Sequence, residues 1–224
     1  MARSLGATPR REVADERPRP GRRPTSRRRY RGATRWRLRV IVQLFRVFPW
    51  IERSAPTELG GPLFIPTQGF GRIDNPDYYD ALYMADHAAG AIAETFHVGP
   101  WQSRWSPPML RPRLPGAVTA LATFSIDAIT LCDLDEPREL VTQALPPSHV
   151  ITRDRERTQA WALSLWGQHR YHGVRWWSYH EGRWGSLGIW DLEHFSRRAK
   201  YEIEPLTLQH PAVQEAADVL SIQL

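Results

Sequence analysis

The sequence has one cysteine and one lysine among its 224 residues, and it lacks a long apolar run. The lone cysteine, Cys132, excludes an intrachain disulfide and fits a reducing compartment, so a cytoplasmic protein is expected. It sits in the apolar stretch Ala128-Ile129-Thr130-Leu131-Cys132 and reads as a buried, inert thiol. A membrane span needs roughly 18–20 uninterrupted apolar residues. The nearest candidate, residues 40–50, is short and is broken by Gln43 and Arg46. No small-residue cleavage site accompanies it, so no secretory signal is expected either. The familiar catalytic signatures are also missing: no glycine-rich phosphate loop, no paired-histidine zinc helix and no Gly-x-Ser-x-Gly elbow. His169, His172 and His180 are close in sequence, but their spacing matches no common site and no cysteine joins them, so no metal is expected.

Positive charge is abundant but unevenly placed. The net charge is +6. Residues 1–40 alone carry 14 arginines against Glu12, Asp15 and Glu16, which leaves the rest of the chain mildly acidic. The basic balance therefore belongs to the tail, and the body has no evident electrostatic footprint for nucleic acid. Residues 1–36, rich in Arg, Pro, Gly and Ser, cannot bury enough apolar surface to order themselves and are expected to be a disordered basic tail. A single domain is expected over residues 37–224.

Periodicity gives a coarse outline of that domain. Residues 40–48 suit either a strand or a short amphipathic helix. Gly60-Gly61-Pro62 marks a turn, and residues 63–77 read as a turn-rich loop that would hold Arg72 at a surface or cleft. Residues 79–85 alternate as a strand, with Tyr79, Ala81 and Tyr83 on one face. Asp86 is expected to cap a helix over residues 87–97 that has Glu94 at the edge of its apolar stripe. Gly90 among alanines suggests close approach of another backbone. After a proline-rich loop over 100–116, one or two strands are expected in 119–134, a helix over 154–168 and a strand over 173–180. Residues 184–190 would return as a hairpin partner, followed by a strand near 201–208 and a helix near 211–220. Trp161, Trp166, Trp176, Trp177, Trp184 and Trp190 should mostly be packing residues. The outline is an α/β (α+β) domain with a mixed sheet and flanking helices.

Several short stretches, in order, resemble the RES (Arg–Glu–Ser) domain family. They are Leu44-Phe45-Arg46-Val47, Gly71-Arg72-Ile73-Asp74-Asn75-Pro76, Leu82-Tyr83-Met84-Ala85 and Ala91-Ile92-Ala93-Glu94-Thr95. Leu131-Cys132-Asp133-Leu134, Thr158-Gln159-Ala160-Trp161-Ala162 and Gly173-Val174-Arg175-Trp176-Trp177-Ser178 complete the series. Each is weak alone, and together they span about residues 40–200. Many members carry an aromatic residue and Asn after the Gly-Arg pair, where this chain has Ile73 and Asp74.

The resemblance implies an ADP-ribosyltransferase-like fold and a toxin-like enzyme that cleaves the nicotinamide–ribose bond of NAD⁺ by hydrolysis or phosphorolysis. NAD⁺ would be substrate and not cofactor, inorganic phosphate an acceptor, and an antitoxin protein a partner by family analogy. Such cleavage passes through an oxocarbenium-like state and releases a neutral base, so a fixed negative charge helps and no general acid is needed. Glu94 would supply that charge. Arg72 and Arg46 would bind pyrophosphate oxygens. Tyr83 would stack on a ring or bond ribose, and Ser178 would bond the carboxamide or ribose. Three alternatives stay open: an inactive RES-like binding protein, nucleic-acid binding through the basic tail, and transfer of ADP-ribose to a protein.

Overall fold

A computed structural model describes residues 42–97, 99 and 101–224. The expected tail, residues 1–36, lies outside them. Seven strands form one sheet: β1 (Val42–Trp50), β2 (Leu82–Ala85), β3 (Val118–Ile126), β4 (Leu131–Asp133), β5 (Gly173–Trp177), β6 (Gly185–Ile189) and β7 (Lys200–Pro205). Their order across the sheet is β4-β5-β6-β2-β1-β3-β7. Six helices surround it: α1 (Ala88–Phe96), α2 (Pro137–Thr142), α3 (Pro147–Val150), α4 (Arg155–Trp166), α5 (Leu192–Arg198) and α6 (Pro211–Val219). Every strand pairing is antiparallel except β4 with β5. A parallel pair needs a long crossover, and α2, α3 and α4 provide it. The mixed sheet with flanking helices is the architecture expected from the sequence.

In the ambiguous segment at 40–48, the described residues 42–48 form part of β1, an interior strand between β2 and β3. Leu44 and Phe48 enter one core cluster, while Phe45 and Val47 pack against another on the opposite face. A strand covered on both faces reads as a continuous apolar run, which is why its periodicity was uninformative. On the first face, Leu82, Met84, Phe124 and Leu187 pack with Phe195 of α5. The second face is covered by two separate blocks. Ala85 and Leu121 lie under α1 and α6. Val174 and Trp176 pack with α4, Ile73 and Tyr79. Tyr83 of β2 and Ser186 of β6 fall at the seam between the blocks.

Two local expectations are corrected. Asp86 does not cap α1; His87 does, its Nδ1 accepting the Ala89 N–H at 3.3 Å. Asp86 instead accepts the Gly185 N–H at 2.6 Å and Arg175 Nε at 2.9 Å, across the sheet. Gly90 does admit a close neighbour, but a side chain: a Cβ there would stand 3.2 Å from Trp184 Cβ. The tryptophans are packing residues as expected, with Trp161, Trp176, Trp184 and Trp190 all buried. Cys132 is fully buried, and burial pushes its thiol up to about 12.

Arg175 gathers three carboxylates, with Asp133 Oδ1 at 3.0 Å and Asp135 Oδ2 at 3.1 Å in addition to Asp86. Burial works against its charge, but Asp133 and Asp86 outweigh that and hold the guanidinium above its ordinary pKa. Removing it would leave three unpaired carboxylates. Arg175→Met should lower stability by about 2 kcal/mol in urea unfolding, less than for a fully buried pair because Asp133 and Asp135 reach water.

Candidate functional site

The loop that carries Arg72 is built around one carboxylate. Asp74 is 5% exposed. Its Oδ2 accepts the N–H groups of Gly69 at 2.8 Å and Gly71 at 2.7 Å, and its Oδ1 accepts the Tyr83 hydroxyl at 2.6 Å. The Tyr83 oxygen in turn accepts the Ile73 N–H at 3.0 Å. From the other side, Gln159 of α4 donates to the carbonyls of Gly69 and Gly71 at 3.1 and 3.0 Å. Gly69 lies at φ +125°, and a Cβ on Gly71 would fall 2.2 Å from the Tyr83 oxygen, so both positions need glycine. Ile73 is fully buried against the bare backbone of Gly188, where a Cβ would overlap Ile73 Cδ1 at 1.8 Å. The Ile73-Asp74 pair that departs from the common family pattern is thus the structural centre of this turn.

Arg72 projects from it. Its Nη1 donates to the carbonyls of Val150 and, at 3.0 Å, Thr152. Its Cζ lies 6.0 Å from the Trp176 ring centroid. The Nε–Nη2 edge has no partner among the described residues, and that edge is the one that grips phosphate or carboxylate bidentately. Burial and then Arg155 lower its pKa, while Glu94 and Tyr83 act in the opposite sense. Arg72 and Glu94 therefore sense each other across the seam without a direct ion pair.

Glu94 stands in the last turn of α1. Its Oε1 accepts the Ser178 hydroxyl at 2.7 Å and the Ser186 hydroxyl at 3.0 Å. Ser178 directly follows β5, and its N–H closes the hairpin on Trp184 O at 2.7 Å. Both serines are buried, at 4% and 6% exposure, whereas 43% of the Glu94 side chain faces solvent. The arrangement is an accessible carboxylate with one oxygen fastened to the sheet. His180 Nε2 approaches the other oxygen, Oε2, at 3.9 Å.

The structure therefore brings Arg72, Glu94 and Ser178 to one seam, with Tyr83 beneath the turn. The Tyr83 hydroxyl donates to Asp74, and burial together with that bond raises its pKa, so it fastens the turn that carries Arg72. The Ser178 hydroxyl donates to Glu94. Arg46 is not brought to the group. It alternates with Phe45 and shares the Leu44–Phe48 side of β1, opposite α1. Its two Nη atoms donate to Pro62 O and Phe64 O, each at 2.6 Å. Burial with only carbonyl partners lowers its pKa to about 10.

Sequence reasoning missed Ser186, and it weighed His180 only as a metal ligand. The signal for Ser186 was register. Trp176 pairs with Ser186, which places it beside the strand end that carries Ser178. The three histidines are dispersed: His180 lies at Glu94, His169 against Trp166, and His172 stacked on His194 at 3.8 Å. His172, Asp191 and His194 bring metal-capable atoms within 4.8 Å of one another. The proton pattern opposes joint ligation. His172 Nδ1 accepts the Thr130 N–H at 2.9 Å, which leaves the proton on Nε2, and parallel rings cannot both aim in-plane lone pairs at one ion. Two surface cavities of about 330 Å³ lie elsewhere, one lined by Pro107, Val118 and Leu206 and one by Trp166, Tyr171 and Trp190. Neither includes Arg72 or Glu94. Reactive groups, not volume, mark the seam.

Tyr83→Phe should leave the Ile73 N–H and one Asp74 oxygen without their partner. Hydrogen exchange should then show faster exchange of the amides around residues 69–73, with a stability loss of about 1–3 kcal/mol. Unchanged protection would show that the turn does not depend on this hydroxyl.

The RES domain family profile matches residues 43–209. A chain from the crystal structure of the M. tuberculosis MbcT–MbcA toxin–antitoxin complex superposes with a TM-score of 0.54 at 19% identity, covering 81% of this chain and 90% of that one. No curated protein matches in sequence. With three quarters of its length matched by the profile, this chain belongs to the RES domain family.

Proposed function

We propose that this chain is a toxin-like enzyme that breaks the nicotinamide–ribose bond of NAD⁺. The observation that carries the reading is the Glu94 carboxylate, held on one oxygen by Ser178 and Ser186, with the open edge of Arg72 across the seam. In this reading the C1′–N bond breaks and its electron pair moves to the nicotinamide nitrogen, which becomes neutral. The positive charge left on the ribose ring is stabilised by Glu94. Water or inorganic phosphate then bonds to C1′, giving ADP-ribose or its 1′-phosphate, and the water proton passes to solvent. Arg72 holds the pyrophosphate. Ser178 and Ser186 hold Glu94, Tyr83 holds the Arg72 turn, and Arg46 braces residues 62–64 behind the sheet. NAD⁺ serves as substrate, and no separate cofactor has a role.

An antitoxin protein is the expected partner, supported by the toxin–antitoxin complex in which the structural neighbour occurs. Activity in the cytoplasm follows from the substrate. Among the described residues no helix is long and apolar enough to cross a membrane.

The purified chain should release nicotinamide from NAD⁺, and comparison with and without phosphate should identify the acceptor. Glu94→Gln should lower kcat by about 10²-fold or more. Arg72→Lys should chiefly raise KM, by about tenfold, because an ammonium cannot offer the bidentate edge. Nicotinamide release that is absent under both conditions, or undiminished in Glu94→Gln, would overturn the reading.

A further inference from the structure

The role given to Glu94 leaves two imidazoles beside it without a task. His180 is almost enclosed, with 11% of its side chain exposed. Its Nε2 stands 3.9 Å from Glu94 Oε2, the oxygen that neither serine occupies. Its backbone N–H donates to Ser178 Oγ at 3.2 Å. One residue thus stands within ion-pair distance of the carboxylate and also reaches it through the serine. His97, the C-cap of α1, meets the His180 ring edge-on with centroids 5.0 Å apart. The His97 Nδ1 is buried and has no hydrogen-bond partner among the described residues.

We propose that His180 is a positioning residue for Glu94 and sets the acid limit of its charge. As a neutral imidazole it orients the free oxygen; as an imidazolium it cancels the negative charge that the ribosyl cation requires. The kinetic consequence rests on the NAD⁺-cleaving reading, whereas the His180–Glu94 pairing stands apart from it.

Direction matters here. A histidine beside a lone carboxylate would normally hold its proton more tightly. Burial opposes that, Glu94 favours it, and His97 adds to the opposition, so the pKa of His180 is lowered. The ring is neutral at physiological pH, and Glu94 then faces a cationic substrate without an imidazolium beside its free oxygen. The titratable groups around His180 are Glu94 and His97 from α1 and its cap, and Tyr179 and Glu181 from its own segment. Arg153 lies 5.6 Å over the ring of Tyr179, the residue next to His180. As pH falls through the lowered His180 pKa, the imidazolium forms and activity declines.

NAD⁺ turnover followed from about pH 5 to about pH 8, normalised to each protein's own plateau, tests this. The wild-type kcat/KM should fall about tenfold per pH unit below a midpoint under the ordinary histidine value of about 6.5. His180→Asn, which keeps the backbone donor to Ser178 and a neutral side-chain donor, should lose that limb. His97→Gln should move the midpoint upward. A limb that persists in His180→Asn overturns the proposal. A second readout needs no activity: in ring-labelled protein, the His180 titration should move to lower pH in Glu94→Gln, and an unmoved midpoint overturns the pairing. If no protein consumes NAD⁺, or His180→Asn fails to fold, the imidazole titration of the wild type and Glu94→Gln decides the matter.

Discussion

The attachment of Glu94 to two serine hydroxyls is the constraint around which the site is arranged. Glu94 lies in the last turn of α1, where the helix presents carbonyl oxygens and the negative end of its dipole. The helix itself can offer the carboxylate no donor. Donors must come from the sheet, and β5 and β6 supply them through Ser178 and Ser186. The consequence reaches the whole second face. α1 must lie close enough to β6 for a two-carbon stem to reach Ser186, which the small residues Ala89, Gly90, Ala91 and Ala93 permit. On the other side of β6, α4 and the Arg72 turn cover the sheet as a separate block.

Three buried or half-buried arginines show why only one of them is free to bind. Arg175 is surrounded by Asp86, Asp133 and Asp135 and is held above its usual pKa. Arg46 donates to the carbonyls of Pro62 and Phe64 and lies over the Phe48 ring, and both Nη atoms of its fork are occupied. Among the described residues Arg72 is tied through Nη1 alone and has no carboxylate in contact, and it feels Arg155 as a second cation. A guanidinium that is partly desolvated, crowded by a like charge and open on one edge is the group of the three that an anion would stabilise most.

The large elements were legible in the sequence because periodicity and turn residues state them directly: α1, α4, α6, the β5–β6 hairpin and the buried tryptophans. The short α2, α3 and α5 were not, since helices of four to seven residues carry too few turns to repeat a pattern. Arg72, Glu94 and Ser178 were visible through family resemblance, and their convergence required the fold. What the sequence could not state was how the polar atoms pair. Asp86 looked like a cap because caps are commonly Asp before a helix; its carboxylate was instead claimed by Arg175, far away in sequence. Asp74 looked like a departure from type. Its three donors come from a local turn and from a tyrosine on the next strand, a combination that spacing alone does not reveal. Ser186 carried no motif at all and entered the site only through strand register.

The separation of charge across the seam gives the two halves different tasks. Arg72 and Glu94 affect each other electrostatically, yet each is held back by its own neighbours: Arg72 by the Val150 and Thr152 carbonyls, Glu94 by the two serines. Had they closed into an ion pair, a ligand would first have to break it, and both charges would already be neutralised. Kept apart, they are complementary to a molecule that carries a cation at one end and phosphate oxygens further along. In the proposed reaction the cationic end needs the more exacting placement, because the bond that breaks is there and charge develops in the process. The distribution of restraints follows that demand. Glu94 Oε1 is fixed by two neutral hydroxyls, which orient the carboxylate without cancelling its charge, and the pKa of the imidazole nearest its other oxygen, His180, is lowered by burial and by a second imidazole. In this domain the polar contacts behind the carboxylate decide how much of its charge reaches the seam.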